Sequence, residues 1–145
     1  MKILYVMMGI PGSGKSTYAR KLDAKYVSLD KIREEKFGDI NYRGEESTKV
    51  WTEACSMIVQ ASRHGENAVL DATNVLRSGR RKIVRQFRQN FDKFVLCYVK
   101  TPLSVAIERN NNRENVLEEY IIRDKYEKLV EPQFDEGWDE ILYIE

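Results

Sequence analysis

The segment 9–16 constrains the fold of this chain more than any other part of the sequence. It reads Gly-Ile-Pro-Gly-Ser-Gly-Lys-Ser and matches the pattern GxxxxGK[ST] at every fixed position. An apolar run, residues 3–8, precedes the segment, and a helical pattern begins at Lys15. A strand, a glycine-rich loop and a helix in this order form a phosphate-binding loop, whose backbone N–H groups surround phosphate oxygens. The segment therefore predicts nucleotide binding in an α/β fold.

The loop contains a complete set of groups for binding ATP or another nucleoside triphosphate. Glycines let the backbone approach the phosphates closely. The Lys15 ammonium adds a positive charge for the β- and γ-phosphates, and the Ser16 hydroxyl is a ligand for Mg²⁺. The predicted nucleotide-binding residues are Gly9, Pro11, Gly12, Ser13, Gly14, Lys15, Ser16 and Thr17.

The remaining composition narrows the class of protein. The chain has no NKxD tetrapeptide, with which GTPases read guanine, and its one histidine, His64, excludes a His-rich metal site. Cys55 and Cys97 lie far apart and are predicted to be reduced thiols. The net charge of +1 leaves room only for a local basic site. No apolar run approaches the roughly 20 residues of a membrane span. We therefore expect a cytoplasmic enzyme without a membrane partner, in the host cytoplasm if a phage encodes it, and of open oligomeric state.

Apolar runs alternate with amphipathic stretches along the whole chain. Near-continuous apolar strands separated by helices are typical of a parallel sheet that is buried on both faces. We therefore predict a single doubly wound α/β domain, residues 1–145, with a parallel sheet between two layers of helices. The predicted strands are 3–8, 26–29, 68–71, 94–100 and 141–144. The predicted helices are 15–24, 31–36, 46–63, 77–90, 103–110 and 117–130.

Asp30 follows the second predicted strand and precedes a helical pattern. Ligands of doubly wound sheets lie beyond the carboxyl ends of the strands, so the Asp30 carboxylate is expected to face the phosphates. It is a candidate general base for an attacking hydroxyl and also a candidate helix N-cap, and the two roles are compatible. Arg33 lies three residues later on the same helical face, where its guanidinium is predicted to bind an anionic group of the acceptor.

The third predicted strand ends at Asp71, and Ala-Thr-Asn follows. A carboxylate at such a strand end is typical of a residue that holds Mg²⁺ or a water molecule, although Asp71 or Asn74 could instead cap a tight turn. The next predicted helix contains five arginines, most of which are expected to face solvent. Arg77 and Arg80 lie nearest to the strand end. We assign Asp71, Asn74 and Arg77 to acceptor binding, with Asp71 as a second Mg²⁺ holder through water.

Arg109 and Arg113 lie four residues apart, where a helical pattern enters the polar segment 110–115. We predict that both belong to a short lid that closes over the nucleotide and that they spread the charge developing on the transferred phosphoryl group. The alternative is a solvated pair on a helix surface. A second polar segment, 38–44, is also predicted to be mobile.

These motifs stand in an order that resembles the 5′-hydroxyl polynucleotide kinases of phages and the kinase domain of bacterial RNA-repair enzymes. The resemblance spans residues 2–142 and implies a P-loop kinase fold. It also implies that Lys15 and Ser16 handle ATP and Mg²⁺, that Asp30 is the general base on the 5′-hydroxyl, and that Arg33 binds the 3′-phosphate of the acceptor. Arg109 and Arg113 would be the lid arginines, so the predicted catalytic residues are Lys15, Asp30, Arg109 and Arg113.

The chain departs from that family in ways that bear on the acceptor. It has neither the DxDGT of a 3′-phosphatase nor the KxDG of a ligase, and no Val-Pro precedes the helix after Arg113. Three functions therefore remain open. The first is a kinase for the 5′-hydroxyl of a DNA or RNA end. The second is a kinase for a nucleoside, nucleotide, sugar or nucleotide sugar, and the third is a nucleotide-dependent binding module without transfer activity.

Overall fold

The computed structural model describes residues 1–40, 47–114 and 116–145. Strands and helices alternate along the described residues, as the apolar pattern predicts. The strands are β1 (Ile3–Met8), β2 (Lys25–Ser28), β3 (Ala68–Asp71), β4 (Lys93–Val99) and β5 (Glu140–Ile144). The helices are α1 (Lys15–Arg20), α2 (Leu29–Phe37), α3 (Ser47–Arg63), α4 (Arg77–Phe87), α5 (Leu103–Asn111) and α6 (Glu119–Lys128). A 3₁₀ turn, Phe134–Glu136, precedes β5.

The five strands form one parallel sheet in the order β2-β3-β1-β4-β5. The first strand therefore lies at the centre, with Leu4 opposite both Ala68 of β3 and Phe94 of β4. Because all strands run in the same direction, their carboxyl ends meet at one edge of the sheet, where the loops that follow β1, β2, β3 and β4 come together. This edge carries the candidate site.

Helices cover both faces of the sheet, which confirms the doubly wound prediction. On one face, Ile58 of α3 and Phe87 of α4 pack with strand residues such as Leu96 in the largest apolar core. On the other face, Ala19 of α1 packs against Val69 and its strand neighbours. Apolar burial of this kind contributes about 25 cal/mol per Å² of surface removed from water, so both layers hold the sheet in place.

A third apolar core lies above the carboxyl edge of the sheet. It joins Ile10 of the glycine-rich loop to Ala106 of α5 and to Ile121 and Ile122 of α6. The loop is therefore packed against the two helices that contain or flank the predicted lid arginines.

Several helix boundaries differ from the prediction by one to four residues, and two of them lie close to the candidate site. Helix α1 ends at Arg20, not at residue 24, since the backbone N–H of Lys25 already donates to the carbonyl of Asn67 on the way into β2. Helix α2 begins at Leu29 because the Ser28 hydroxyl accepts the backbone N–H of Lys31 and acts as its N-cap. Asp30 is thus in the first turn of a helix, and the alternative that Asp30 is the cap is wrong.

Part of each predicted mobile segment lies outside the described residues, namely 41–44 of the segment 38–44 and residue 115 of the segment 110–115. The predicted start of the third helix at residue 46 lies outside them as well. In the part of the chain that the structure describes, no helix has the length and apolar character needed to cross a bilayer.

Candidate active site

The glycine-rich loop connects β1 to α1 at the carboxyl edge of the sheet. Gly12 has a φ of 84°, and a Cβ atom at this position would lie 2.3 Å from the carbonyl oxygen of Ala106 in α5. Only glycine permits both this left-handed backbone and so close an approach. The loop conformation therefore depends on a contact with a helix that begins more than 80 residues later in the chain.

Two side chains hold the loop from the same side. The Thr101 hydroxyl and the Arg109 guanidinium both donate to the carbonyl of Ser13, at 3.0 and 3.1 Å. Lys15, the first residue of α1, is 92% buried, which directs its ammonium into the space beside the loop. An ammonium held in this way next to backbone N–H groups is suited to bind phosphate oxygens.

The loop opens onto a cleft of about 640 Å³. Side chains from α1, α2, the end of β3, α5 and α6 complete its walls. The predicted site residues that line the cleft are Pro11, Gly12, Gly14, Lys15, Ser16, Thr17, Asp30, Arg33, Asp71, Arg109 and Arg113. Gly9 and Ser13 lie behind this wall, where Gly9 donates its backbone N–H to the carbonyl of Thr73 and Ser13 is buried.

Asp71 lies at the end of β3 and is 95% buried. Its Oδ2 atom accepts a hydrogen bond of 2.6 Å from the hydroxyl of Ser16 and another from the hydroxyl of Tyr26. Burial, and to a smaller extent the negative charge of Asp71, raise the pKa of Tyr26 above its ordinary value, so the phenol keeps its proton at neutral pH. Tyr26 was not predicted as a site residue.

The Ser16–Asp71 pair fits a Mg²⁺ ion that arrives with a nucleotide. Mg²⁺ prefers oxygen ligands and usually combines one or two protein groups with phosphate oxygens and water. A hydroxyl and a carboxylate in contact, beside a phosphate loop, supply such groups. Among residues 1–40, 47–114 and 116–145, no cluster of three His, Cys, Asp or Glu side chains could hold a metal ion without those other ligands.

Asp30 and Arg33 form an ion pair on the side of α2 that faces the cleft. The guanidinium of Arg33 donates to Oδ1 of Asp30 at 2.9 Å. The Asp30 side chain is 33% exposed and that of Arg33 is 14% exposed. The carboxylate is thus open to the cleft, while the guanidinium that orients it is largely covered.

Asn74, Arg77 and Arg80 do not reach this cleft. Asn74 adopts a left-handed φ of 46° and donates its side-chain amide to the carbonyl of Met7 in β1. Arg77 pairs with Asp135 at the surface, and the fully buried Arg80 makes two hydrogen bonds to Glu136. Asn74 and Arg77 are therefore not among the residues that line the cleft, and their acceptor-binding role stays a prediction.

The cleft is strongly cationic, although the whole chain is nearly neutral. Among the described residues, the acidic side chains in its walls are Asp30, Glu34 and Asp71. The basic side chains that line it are Lys15, Arg20, Lys31, Arg33, Arg109, Arg113 and Lys125. Arg20, Lys31 and Lys125 were not predicted, because single basic residues on amphipathic helices carry no signal that separates a site from a solvated face.

Comparisons with known proteins agree with this geometry. A family model described as an AAA domain matches residues 4–133. The L-seryl-tRNA(Sec) kinase of Methanococcus maripaludis is 27% identical over 148 residues, which cover 94% of this chain and 56% of that protein. The chain thus spans little more than half the length of this relative.

Solved structures share the fold at low sequence identity. A chain of the Pnkp1/Rnl/Hen1 RNA repair complex has a TM-score of 0.75 and 22% identity, covering 88% of this chain and 44% of that one. A sugar kinase from Janibacter sp. HTCC2649 has a TM-score of 0.70 and 16% identity, covering 99% and 86%. The family match covers most of the described sheet and its phosphate loop. The chain accordingly belongs to the AAA domain family, and its fold is that of the P-loop kinases.

Proposed function

We propose that this chain is a kinase that transfers the γ-phosphate of ATP to the 5′-hydroxyl of a DNA or RNA end. The observation that carries the proposal is that a carboxylate, Asp30, lines the same cleft as the phosphate loop and is oriented by Arg33. A protein that only binds nucleotide has no need of a carboxylate in this position. A phosphotransferase needs one to accept a proton from the acceptor.

In the proposed reaction, the acceptor oxygen attacks the γ-phosphorus and forms a new P–O bond. The bond between that phosphorus and the β–γ bridging oxygen breaks, and ADP leaves with the electron pair. The proton of the acceptor hydroxyl passes to the carboxylate of Asp30. Lys15 stabilises the negative charge on the phosphates, and Arg33 binds an anionic group of the acceptor.

Ser16 would hold Mg²⁺ directly, and Asp71 would hold it through water. When bound, the ion neutralises charge on the β- and γ-phosphates. Arg109 and Arg113 both line the cleft, and we assign them to the charge that develops on the transferred group. Arg109 already lies at the loop, since it donates to the carbonyl of Ser13.

Two observations favour a nucleic-acid acceptor. Among the described residues that line the cleft, basic side chains outnumber acidic ones by seven to three, which suits an acceptor that carries phosphates next to its hydroxyl. In addition, two of the similar proteins described above are, by name, a kinase of a tRNA-bound seryl group and a component of an RNA repair complex.

A small-molecule kinase is the second candidate. The cleft volume of about 640 Å³ lies within the range of roughly 300–1,000 Å³ that small-molecule pockets occupy. The structural likeness to a sugar kinase points the same way. A free sugar or nucleoside, however, lacks the anionic group that the cationic wall and Arg33 are suited to bind.

The test is transfer of the labelled γ-phosphate of ATP, with Mg²⁺, to alternative acceptors. These are 5′-hydroxyl RNA and DNA oligonucleotides, a nucleoside 3′-monophosphate, seryl-tRNA and a set of free sugars. We expect the oligonucleotides to be labelled at their 5′ ends. Labelling of seryl-tRNA alone, or of sugars alone, would replace the proposed acceptor, and ATP binding without any labelling would support a binding module.

The matched variants are Asp30→Asn and Asp124→Asn. Loss of a general base typically costs about 10²- to 10⁴-fold in kcat, so Asp30→Asn should lose this much while its affinity for ATP stays within about twofold. Asp124 pairs with Lys128 at the exposed surface of α6, and its variant should behave as the wild type. A fall in ATP affinity that matches the fall in kcat would make Asp30 a structural residue.

A further inference from the structure

Tyr26 occupies a position in the sheet from which its side chain runs along β3 to Asp71. In the parallel register, Tyr26 pairs with Val69, and Ser28 pairs with Asp71. Side chains two residues apart on a strand point to the same face, so the Tyr26 ring and the Asp71 carboxylate share one face of the sheet. The long phenol side chain spans the distance that a shorter residue at this position could not.

The contacts of Asp71 are concentrated on one oxygen. The hydroxyls of Ser16 and Tyr26 both donate to Oδ2. Two donors from different elements, the start of α1 and the middle of β2, fix the rotation of a carboxylate that is 95% buried. The second carboxylate oxygen, Oδ1, is thereby held in a defined direction.

The Tyr26 ring is itself held from the other side. The guanidinium carbon of Arg20 lies 5.3 Å from the centre of the ring, within the distance of a cation–π contact. Both Arg20 and Tyr26 line the cleft. Tyr26 therefore forms part of the site wall and also part of the apolar layer beneath α1.

We propose that Tyr26 is a positioning residue for the Mg²⁺ ion that accompanies the nucleotide. A hydroxyl that binds a cation through its oxygen needs an acceptor for its proton, and Asp71 is that acceptor for Ser16. The hydrogen bond from Tyr26 fixes Asp71 in the orientation that keeps the Ser16 proton engaged and turns the Ser16 lone pairs outward. The inference rests on the proposed binding of a Mg²⁺–nucleotide at this site, but not on the identity of the acceptor.

The alternative is that Tyr26 serves only to pack the sheet. Tyr5 provides the matched comparison, because it pairs with the same residue, Val69, from the opposite side and belongs to the same apolar cluster. Tyr5 does not line the cleft. Tyr26→Phe and Tyr5→Phe each remove one hydroxyl and leave the aromatic ring in place, so they separate the hydrogen bond from the packing.

The experiment measures the affinity of each variant for a non-hydrolysable ATP analogue by titration calorimetry, once with Mg²⁺ and once with EDTA. Loss of a group that orients a metal ligand typically costs about 10- to 100-fold in metal affinity. Mg²⁺ is expected to increase the affinity for the analogue. We expect the Mg²⁺ concentration that gives half of this increase to be at least about tenfold higher in Tyr26→Phe than in the wild type. Its affinity in EDTA should match that of the wild type, and Tyr5→Phe should match in both conditions.

Asp71→Asn tests whether Tyr26 acts through Asp71. If it does, adding Tyr26→Phe to Asp71→Asn should cause little further loss, since contacting residues on one path are not additive. Three results would overturn this inference and leave the proposed function standing. They are an equal loss of affinity with Mg²⁺ and with EDTA, an unchanged Mg²⁺ requirement, and additive losses in the double variant. Absence of analogue binding by the wild type would instead overturn the proposed function, and the inference with it.

Discussion

At the scale of single residues, Arg33 has two tasks in the proposed reaction. Its guanidinium donates to Oδ1 of Asp30 in the structure, and it is assigned to an anionic group of the acceptor. A guanidinium has five N–H donors, so it can serve a carboxylate and a phosphate together. The two tasks predict different consequences when the side chain is removed, because only one of them depends on the acceptor.

We expect Arg33→Ala to reduce kcat/KM about 10- to 100-fold more for a nucleoside 3′-monophosphate than for the same nucleoside, since hydrogen bonds to charged groups contribute about 1.5–3 kcal/mol. Steady-state kinetics with the two acceptors measures the ratio. Arg85→Ala, at an exposed position of α4, is the control. An equal loss for both acceptors would show that Arg33 acts only by orienting Asp30.

The sequence predicts the residues of the phosphate loop well because their chemistry depends on a short, contiguous pattern with fixed glycines. It does not predict Tyr26, which is one of eight tyrosines in the chain and has no motif around it. Its contact with Asp71 exists only because β2 and β3 pair in one particular register. The register between strands that are distant in sequence cannot be predicted from any local segment.

At the scale of elements, a buried ion pair joins α4 to the segment before β5. The fully buried guanidinium of Arg80 donates to both oxygens of Glu136 and to the carbonyl of Asn74. The indole N–H of Trp138 donates to the same carboxylate. Three parts of the chain therefore meet at one pair of charges, and the turn after β3 is fixed as a result.

We expect Glu136→Gln to lower the free energy of unfolding by about 3–5 kcal/mol, because it leaves the Arg80 charge buried without a partner. Chemical denaturation measures the change. Asp135→Asn is the control, since Asp135 pairs with Arg77 at the surface with its side chain 59% exposed, and such pairs contribute about 0–1 kcal/mol. Similar losses in the two variants would contradict a special role for the buried pair.

The same pair predicts a dependence of stability on pH. Burial raises the pKa of Glu136, but the hydrogen bonds from Arg80 and Trp138 outweigh it and hold the pKa below its ordinary value. A carboxylate with a lower pKa in the folded state stabilises the fold at neutral pH and loses this contribution as the pH falls from about 4.3 through the folded pKa. The difference in stability between wild type and Glu136→Gln should therefore shrink across that interval.

The sequence predicts the existence of all the main elements but not all of their ends. Helix α2 begins earlier than predicted because the hydroxyl of Ser28 accepts one of the free N–H groups of the first turn, that of Lys31. Asn74 and Arg77 are not among the residues that line the cleft, so their assignment to the acceptor stays a prediction. Nearness to a strand end in sequence does not fix where a side chain lies in the fold.

At the scale of the whole molecule, the site draws on side chains from most of the chain. The cleft is lined by residues from Pro11 in the phosphate loop to Lys125 in α6. A ligand in this cleft contacts residues from several different strands and helices. Its binding free energy is therefore added to the cooperative stability of the fold and not to one element.

We expect a non-hydrolysable ATP analogue with Mg²⁺, at 100 times its Kd, to raise the free energy of unfolding by about 2.7 kcal/mol. Urea denaturation with and without the analogue measures the increase. The increase should disappear in Lys15→Ala at the same analogue concentration, while the stability of the free variant stays close to that of the wild type. A full increase in Lys15→Ala would place the nucleotide away from the phosphate loop.

The fold class follows from the sequence because buried parallel strands and covering helices have different apolar periods. The order of the strands does not, since each neighbour of β1 comes from a remote part of the chain. The positive charge of the cleft cannot be predicted from the nearly neutral composition either, because its basic residues come from separate elements that only the completed sheet brings together.

The central place of β1 has a consequence for synthesis on the ribosome. The strand that leads into the phosphate loop is made before both of its partners, Ala68–Asp71 and Lys93–Val99. Until β3 and β4 have been synthesised, the apolar strand β1 has no strand to pair with. Contacts between segments that are distant in sequence are also slow to form. The growing chain thus exposes an apolar strand until both partners have emerged, and exposed strand edges of this kind favour aggregation. The sheet edge that carries the phosphate loop is complete only after both partners have been made.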